Sequence, residues 1–167
     1  MIKFHPSQLD KLMTDGRSKN GKYPQTPDDL SETTKSALNE IFIEEKYGRK
    51  LDIRTDAMNK GIMVEADAFK LLYQTNHGLY SKNTKQFENE FFIGTPDAIA
   101  SDCGVDLKNS YDIWNFMAVS EAKVLKTYQY QMLAYMDLVG FKLWKIFYTL
   151  FLRLGHQDHE QSVWQDY

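Results

Sequence analysis

The sequence predicts one α/β (α+β) domain, in which helical segments surround a small number of strands. Apolar residues recur at helical spacing between capping residues, two apolar and aromatic runs are joined by turn residues, and one late segment is almost continuously apolar. The segments with these patterns span residues 30–47, 58–77, 91–110, 120–140 and 141–152. We divide the domain into a helical N-terminal part (1–57), a core (58–153) and a short polar tail (154–167).

Two helices are predicted in the N-terminal part. Ser7 is a suitable N-cap for the first, which has apolar residues at helical spacing and which we expect to end near Gly16. The second covers 30–47, with Ser31 near its start and Gly48 as its C-terminal glycine.

Residues 17–29, between these helices, are predicted to form a loop, because they include two prolines, a glycine and many polar side chains. The loop also carries the cations Arg17 and Lys19. A solvated loop and a loop that contacts phosphate groups are both consistent with this composition.

A third helix is predicted over 58–77, and it carries a glutamate beside its apolar face. The predicted buried face consists of Met63, Ala66, Phe69, Leu72 and Tyr73. Glu65 lies toward or beside this face, where a carboxylate needs a partner because an unpaired buried charge is costly. A metal ion or a lysine could be that partner, and the alternative is a boundary glutamate that reaches solvent.

The central feature of the sequence is a predicted hairpin. Residues 91–100 are rich in apolar and aromatic side chains, residues 102–104 supply a turn, and residues 105–110 form a second strand. The aspartate of a proline-aspartate pair falls in the first strand, and an aspartate two residues before a lysine falls in the second.

Side chains alternate along a strand, which decides where these polar groups lie. Asp106 and Lys108 share one face of the second strand, while Val105 and Leu107 share the other and can enter a core. Asp97 comes from the neighbouring strand. We therefore expect two carboxylates and one ammonium group to meet at the edge of the core.

Two carboxylates and an ammonium group on a strand pair fit a site for a hard divalent cation. Mg²⁺ prefers oxygen ligands, and it usually takes one or two protein carboxylates while keeping several waters. A lysine beside the metal can position a bound water or help to deprotonate it. The alternative is a surface strand with a salt bridge, since an aspartate two residues before a lysine is a common pattern.

A long helix is predicted from Ser120 to Gly140, followed by a strand over 141–152. Gln131 and Tyr135 are four residues apart and lie on one face of this helix. The strand has too many apolar residues to be exposed on both faces.

Composition and charge restrict the class of protein. The net charge of −3 argues mildly against broad binding of polyanions through surplus Lys and Arg. Carboxylates reserved for a metal lower the formal charge, so an enzyme of nucleic acids is not excluded. The sequence contains no transmembrane run or signal-peptide pattern, and Cys103 is the single cysteine, so we expect a cytoplasmic protein without disulfides.

Four motifs follow one another along the chain: GIMVE at 61–65, GTPD at 94–97, VDLK at 105–108, and Gln131 with Tyr135. In this order they resemble the motifs of the PD-(D/E)XK nuclease superfamily. More narrowly, they are similar to the phage branch related to lambda exonuclease and the YqaJ viral recombinase group. The N-terminal stretch FHPS is also similar to the first helix of that branch. The resemblance extends from about Phe4 to Leu152.

The resemblance implies a restriction-endonuclease-like core with a central mixed β-sheet flanked by helices, and cleavage of DNA that depends on Mg²⁺ or Mn²⁺. It implies that Asp97 and Asp106 ligate the metal together with the backbone carbonyl of Leu107. Glu65 would complete the metal shell directly or through water. Lys108 would orient or deprotonate the attacking water.

The resemblance also implies where DNA is bound. Gln131 and Tyr135 would support the site or contact DNA. Relatives in this branch carry an arginine before the first helix for the 5′-phosphate of the substrate, and this sequence has none there. Lys3, Arg17 or Lys19 would have to replace that anchor, and Ser7 is a further candidate for a DNA contact.

The leading functional hypothesis is a phage-type DNA exonuclease that acts on double-stranded ends in recombination or DNA processing, in the host cytoplasm if a phage encodes it. Its partners would be DNA, a single-strand annealing protein and further copies of the chain. Two alternatives stay open: a structure-specific or restriction-like endonuclease, and a degenerate relative that binds DNA or other proteins without catalysis.

Overall fold

The computed structural model of the chain describes residues 2–14, 29–51, 56–75, 80–152 and 161–166. The helices in these residues are α1 (Leu9–Leu12), α2 (Glu32–Tyr47), α3 (Asp56–Thr75), α4 (Ile113–Ala118) and α5 (Glu121–Val139). The strands are β1 (Ser81–Lys82), β2 (Phe87–Glu88), β3 (Ile93–Gly94), β4 (Ala98–Ile99), β5 (Cys103–Ser110), β6 (Leu143–Leu152) and β7 (Gln161–Asp166). Within the described ranges, no helix is both long and apolar enough to cross a membrane.

Five of the strands form a mixed sheet in the order β1-β4-β5-β6-β7, and β2 pairs with β3 in a separate two-stranded sheet. β5 and β6 run parallel, whereas the other neighbours in the large sheet are antiparallel. A parallel pair needs a long crossover connection, which α4 and α5 provide. The predicted α/β fold with a central mixed sheet flanked by helices is confirmed.

Helices cover both faces of the sheet. Leu72 of α3 belongs to one buried cluster with Val105 and Phe147. Met132 of α5 belongs to another buried cluster with Ile146, which alternates with Phe147 along β6. The hydrophobic core is therefore divided by the sheet, and polar groups on the α5 face of β5 are enclosed between the sheet and a helix.

Capping residues fix the ends of α2 and α5, as the sequence predicted. Ser31 and Ser120 are the N-caps of α2 and α5, and each side chain accepts a hydrogen bond from a backbone N–H in the first turn. Gly48 and Gly140 end these helices with φ angles of 61° and 83°, a left-handed conformation that favours glycine.

The predicted strand over 91–100 is interrupted. Its first part, β3, pairs with β2, and its last part, β4, pairs with β5. The break coincides with Pro96, which has no N–H to donate to a ladder. The hairpin between β4 and β5 is confirmed in a shorter form, and its turn is closed by a hydrogen bond of 2.8 Å from Ala100 N–H to the Cys103 carbonyl.

The first helical segment is capped two residues earlier than predicted, and α1 ends at Leu12. Pro6 starts a 3₁₀ turn that leads into α1, and His5 rather than Ser7 is its N-cap. The His5 backbone N–H donates to the Gln8 side chain at 2.9 Å. Proline suits the first position of a helical turn because its missing N–H has no partner there. The predicted end near Gly16 lies outside the described residues.

The buried face of α3 differs from the predicted one. Met63 and Tyr73 are 61% and 54% exposed, and Ala66 is exposed as well. Leu72 is buried and Phe69 packs against the core, as predicted, and Ala68 is buried in addition. Apolar spacing on α3 allows more than one inward face, and contact with the sheet through the C-terminal half of the helix selects the face that contains Ala68 and Leu72.

Part of the predicted polar tail contributes to the sheet. Gln161–Asp166 forms β7, which pairs antiparallel with β6. Backbone hydrogen bonds to β6 do not depend on apolar side chains, so a polar sequence can still form a strand at the edge of a sheet.

Candidate active site

Strand β5 carries an aspartate and a lysine side by side on the face that α5 covers. Lys108 Nζ lies 2.8 Å from Oδ2 of Asp106, and the two side chains are 24% and 4% exposed. Val105 and Leu107, the alternate residues, join the core on the α3 face with Leu72. The predicted separation of polar and apolar residues on β5 is confirmed.

Asp97 reaches β5 from the loop before β4. Its Oδ2 accepts a hydrogen bond of 2.7 Å from the backbone N–H of Leu107. β4 pairs with β5 only at Gly104 and Val105. Beyond Val105 the acceptor for the β5 backbone on this side is therefore the Asp97 carboxylate and not a strand. The N–H and C=O of one residue point to the same side of a strand, so the Leu107 carbonyl is directed to this side too.

The carboxylates of Asp97 and Asp106 affect each other electrostatically. Burial, and then the negative charge of Asp106, raise the pKa of Asp97 from 3.8 to about 6. The hydrogen bond from Leu107 and the positive charge of Lys108 oppose this increase only in part. Two carboxylates in this situation favour a nearby cation, because it would compensate the charge that burial and repulsion make costly.

Lys108 is held as an ammonium group. Burial alone would lower the pKa of Lys108, but the charge and hydrogen bond of Asp106 outweigh burial, and the pKa is raised. The Lys108 ammonium also lies over the Tyr128 ring, 4.8 Å from its centroid. In the metal-free protein this group therefore donates hydrogen bonds at neutral pH and does not accept protons.

Gln131 and Tyr135 lie one turn apart on α5 and brace the site. Gln131 is 5% exposed, and its Nε2 donates to Oδ1 of Asp106 at 2.9 Å. The Tyr135 hydroxyl donates a longer hydrogen bond of 3.4 Å to the carbonyl of Thr95, and its ring stacks on Trp144 with centroids 5.2 Å apart. Burial and the nearby carboxylates raise the pKa of Tyr135, which keeps its phenol neutral.

Glu65 is placed differently from the other predicted ligands. Its side chain is 56% exposed, and its Oε1 lies 3.3 Å from Nζ of Lys82 on β1. Its negative charge still contributes to the raised pKa of Asp97, which indicates that the two carboxylates are not far apart. The lysine partner that the sequence suggested is therefore present, and the glutamate lies at the boundary with solvent.

Two residues near the site were not predicted from the sequence. Tyr128 is three residues before Gln131 on α5, so the helical spacing that pointed to Gln131 could have pointed to it as well. Asp10 of α1 has no comparable signal. Burial raises the pKa of Asp10, and the charges of Lys108 and Asp106 also act on it, so α1 brings a further carboxyl group to this region.

The predicted DNA contacts near the N-terminus are only partly described. Ser7 is exposed in the 3₁₀ turn, and the structure assigns no hydrogen bond to its side chain among the described residues. Lys3 forms an ion pair with Glu88. Arg17 and Lys19 lie outside the described residues.

The donor set fits magnesium better than a cation that needs a complete cage of protein ligands. In the described parts of the chain, no three Asp, Glu, His or Cys side chains are grouped closely enough to hold a metal ion. Asp97 and Asp106, with the Leu107 carbonyl, provide hard oxygen donors. Mg²⁺ usually binds one or two protein carboxylates and keeps several waters, and these donors fit that pattern.

Exonucleases are found among the solved structures with a similar fold. No family model matches the chain, and no curated protein matches it. The structure of a phage-related exonuclease from Haemophilus somnus 129PT is similar over 98% of this chain and 83% of that chain, with a TM-score of 0.73 and 25% sequence identity.

The alkaline exonuclease LHK-Exo from Laribacter hongkongensis has the same fold. Its structure matches with a TM-score of 0.62 and 13% identity, and its complex with dAMP matches with 0.63 and 14%; each match covers 98% of this chain and 77% of that one. The resemblance to the phage exonuclease branch of the PD-(D/E)XK superfamily is confirmed.

Proposed function

We propose that the protein is a metal-dependent DNA exonuclease that hydrolyses phosphodiester bonds. The observation that carries this proposal is the arrangement of Asp97, Asp106 and Lys108 around one edge of β5, with Gln131 holding Asp106 from α5. Exonucleases among the similar solved structures support the same conclusion.

Asp97, Asp106 and the Leu107 carbonyl are the groups that would hold Mg²⁺ or Mn²⁺. The chemistry that such a cation supplies is a lower pKa of a bound water and polarisation of the scissile phosphate. Glu65 is 56% exposed and paired with Lys82, so its contribution would pass through water.

Lys108 would orient the attacking water or the scissile phosphate. Its raised pKa makes it a hydrogen-bond donor in the metal-free protein, and its contact with Asp106 places it beside the carboxylates. A cation bound to Asp106 would weaken the interaction that raises the pKa of Lys108. Lys108 would then be better able to accept a proton from water.

DNA with double-stranded ends is the substrate that fits this proposal. One similar structure is a phage-related exonuclease, and another exonuclease was solved with dAMP, a DNA mononucleotide. A role in phage recombination, a single-strand annealing partner, a homo-oligomer and a cytoplasmic location belong to the same hypothesis.

The test is digestion of end-labelled linear duplex and of covalently closed circular DNA, with Mg²⁺, with Mn²⁺ and with EDTA. We expect metal-dependent loss of the linear substrate alone, and the position of the label gives the polarity. Cleavage of the circular DNA, which has no ends, would show that the activity is that of an endonuclease. If a folded protein cleaves neither substrate, a DNA-binding module without catalysis becomes the better account.

A further inference from the structure

A polar cavity of about 290 Å³ opens beyond the candidate active site, between the end of β5, α4 and α5. This volume lies near the lower limit for pockets that enclose small molecules, about 300 Å³. Its lining includes Tyr111, Asn115, Lys123, Tyr128 and Tyr148. None of the groups assigned to the metal contributes to this lining.

The cavity lies directly beside Lys108. Tyr128 belongs to both sites. The Lys108 ammonium lies 4.8 Å from the centroid of its ring, and the same residue lines the cavity. Asn109 and Ser110, the next residues of β5 after Lys108, belong to the lining as well. A ligand bound in this cavity would therefore lie next to a phosphate that contacts Lys108.

The chemistry of the lining favours a nucleoside over an isolated phosphate. The rings of Tyr111 and Tyr128 contribute aromatic surface on which a base or a sugar can pack, whereas Tyr148 is 8% exposed and its ring stacks on Phe116. Lys123 is the one cationic side chain among the described residues of the lining, whereas recognition of phosphate by side chains usually relies on Arg or several cations. Asn115 donates from its amide nitrogen to Asp112 at 2.9 Å, which leaves its amide oxygen as an acceptor.

We propose that this cavity is a subsite for one nucleoside of the DNA strand, adjacent to the scissile phosphate. The inference rests on the proposed nuclease function. Stacking on aromatic rings does not distinguish one base from another, so the subsite accepts any base. Occupation of the cavity positions the strand against Tyr128 and therefore against Lys108.

The test is calorimetric titration of the full chain with dAMP, dTMP, deoxyribose 5-phosphate and inorganic phosphate. The Thr127→Phe variant is designed to fill the cavity: Thr127 is an exposed residue of the lining, and its hydroxyl bonds the Lys123 carbonyl of its own helix. The matched control is Gln129→Phe, the same new side chain at an exposed position of α5 outside the cavity lining.

We expect dAMP and dTMP to bind with similar affinity, and about tenfold more tightly than deoxyribose 5-phosphate, because the base contributes a stacking contact. Thr127→Phe should remove this preference for the base, and Gln129→Phe should keep it. Equal binding of dAMP and deoxyribose 5-phosphate to the unmodified protein would overturn the proposal even if Thr127→Phe failed to fold. A preference that survives in folded Thr127→Phe would overturn it as well.

Binding and cleavage give separate answers. If the protein degrades linear DNA but does not distinguish mononucleotides from deoxyribose 5-phosphate, the nucleoside subsite is wrong and the nuclease function stands. If mononucleotides bind with the expected dependence on Thr127 but no DNA is cleaved, the proposed function is wrong and the cavity is still a nucleoside site.

Discussion

The side chain of Gln131, in the middle of α5, donates a hydrogen bond of 2.9 Å to Oδ1 of Asp106 on β5. Both residues are almost completely buried, at 5% and 3% exposure. The bond fixes one carboxylate oxygen and leaves Oδ2 to Lys108. Two motifs that are 25 residues apart in sequence are therefore one unit in space.

Substitution of Gln131 by Leu should weaken both stability and activity. Leucine has a similar volume but no donor, so Asp106 would keep a buried carboxylate oxygen without its partner. We expect a loss of about 1–3 kcal/mol in the free energy of unfolding, and a fall in activity of about 10–100-fold. Urea unfolding and digestion of linear DNA measure the two effects.

The matched control is Gln129→Leu, because Gln129 is exposed on the same helix. It should leave both quantities unchanged. Equal behaviour of the two leucine variants would mean that the bond to Asp106 has no role in the site.

The metal-free protein should lose stability as pH rises between about 4 and about 6. Asp97 has a pKa of about 6 when folded, against about 3.9 in an unfolded chain, so the native state holds a proton that the unfolded state has released. Ionisation of Asp97 above pH 6 then costs up to about 3 kcal/mol of stability. Asp97→Asn removes this titration but keeps an acceptor for the Leu107 N–H.

The measurement is thermal unfolding of both proteins in EDTA at a series of pH values. Near pH 4 the two should be equally stable, and above pH 6 the asparagine variant should be the more stable. A difference between them that does not change from pH 4 to pH 7 would contradict the raised pKa of Asp97.

Asp97 and Glu65 should differ in their effect on metal binding. The Asp97 carboxylate is bound to β5, whereas Glu65 is 56% exposed and paired with Lys82. We expect Glu65→Gln to reduce Mn²⁺ affinity about tenfold, the lower end for an outer group that acts through water, and Asp97→Asn to reduce it more. Calorimetric titration with Mn²⁺ decides this, and equal losses would place Glu65 in direct contact with the metal.

Gly104 should tolerate no side chain. A Cβ at this position would collide with the ring of Trp144, its partner in the parallel ladder with β6. Trp144 also stacks on Tyr135, so the ring cannot move without disturbing the support of the site. We expect Gly104→Ala to lower the free energy of unfolding by about 1–3 kcal/mol, measured in urea, and Ser101→Ala in the exposed turn to have no effect.

Much of the site could be predicted because it depends on local periodicity. Alternation along a strand placed Asp106 and Lys108 on one face, and helical spacing placed Gln131 and Tyr135 together. The order of the motifs also identified the fold. These features need only a correct assignment of helix and strand.

Other features depend on which elements meet in space. Asp10 approaches Lys108 because α1 packs near α5, and the sequence of α1 alone contains no sign of this contact. Met63 and Tyr73 have the spacing of a buried face, but the sheet covers a different side of α3. Glu65 lies at the solvent boundary with Lys82 as its partner, and both were among the positions that its place beside the apolar face allowed.

The most direct test of the account is the rate at which linear duplex DNA is degraded in Mg²⁺ by the unmodified protein and by Lys108→Met. Methionine is an unbranched side chain without the ammonium group that lies over the Tyr128 ring, and Lys142→Met is the control at an exposed position. We predict that Lys108→Met remains folded in Mg²⁺ and loses about 10²–10⁴-fold in rate, while the control is unchanged. A folded Lys108→Met variant with the rate of the unmodified protein would contradict the assignment of this site.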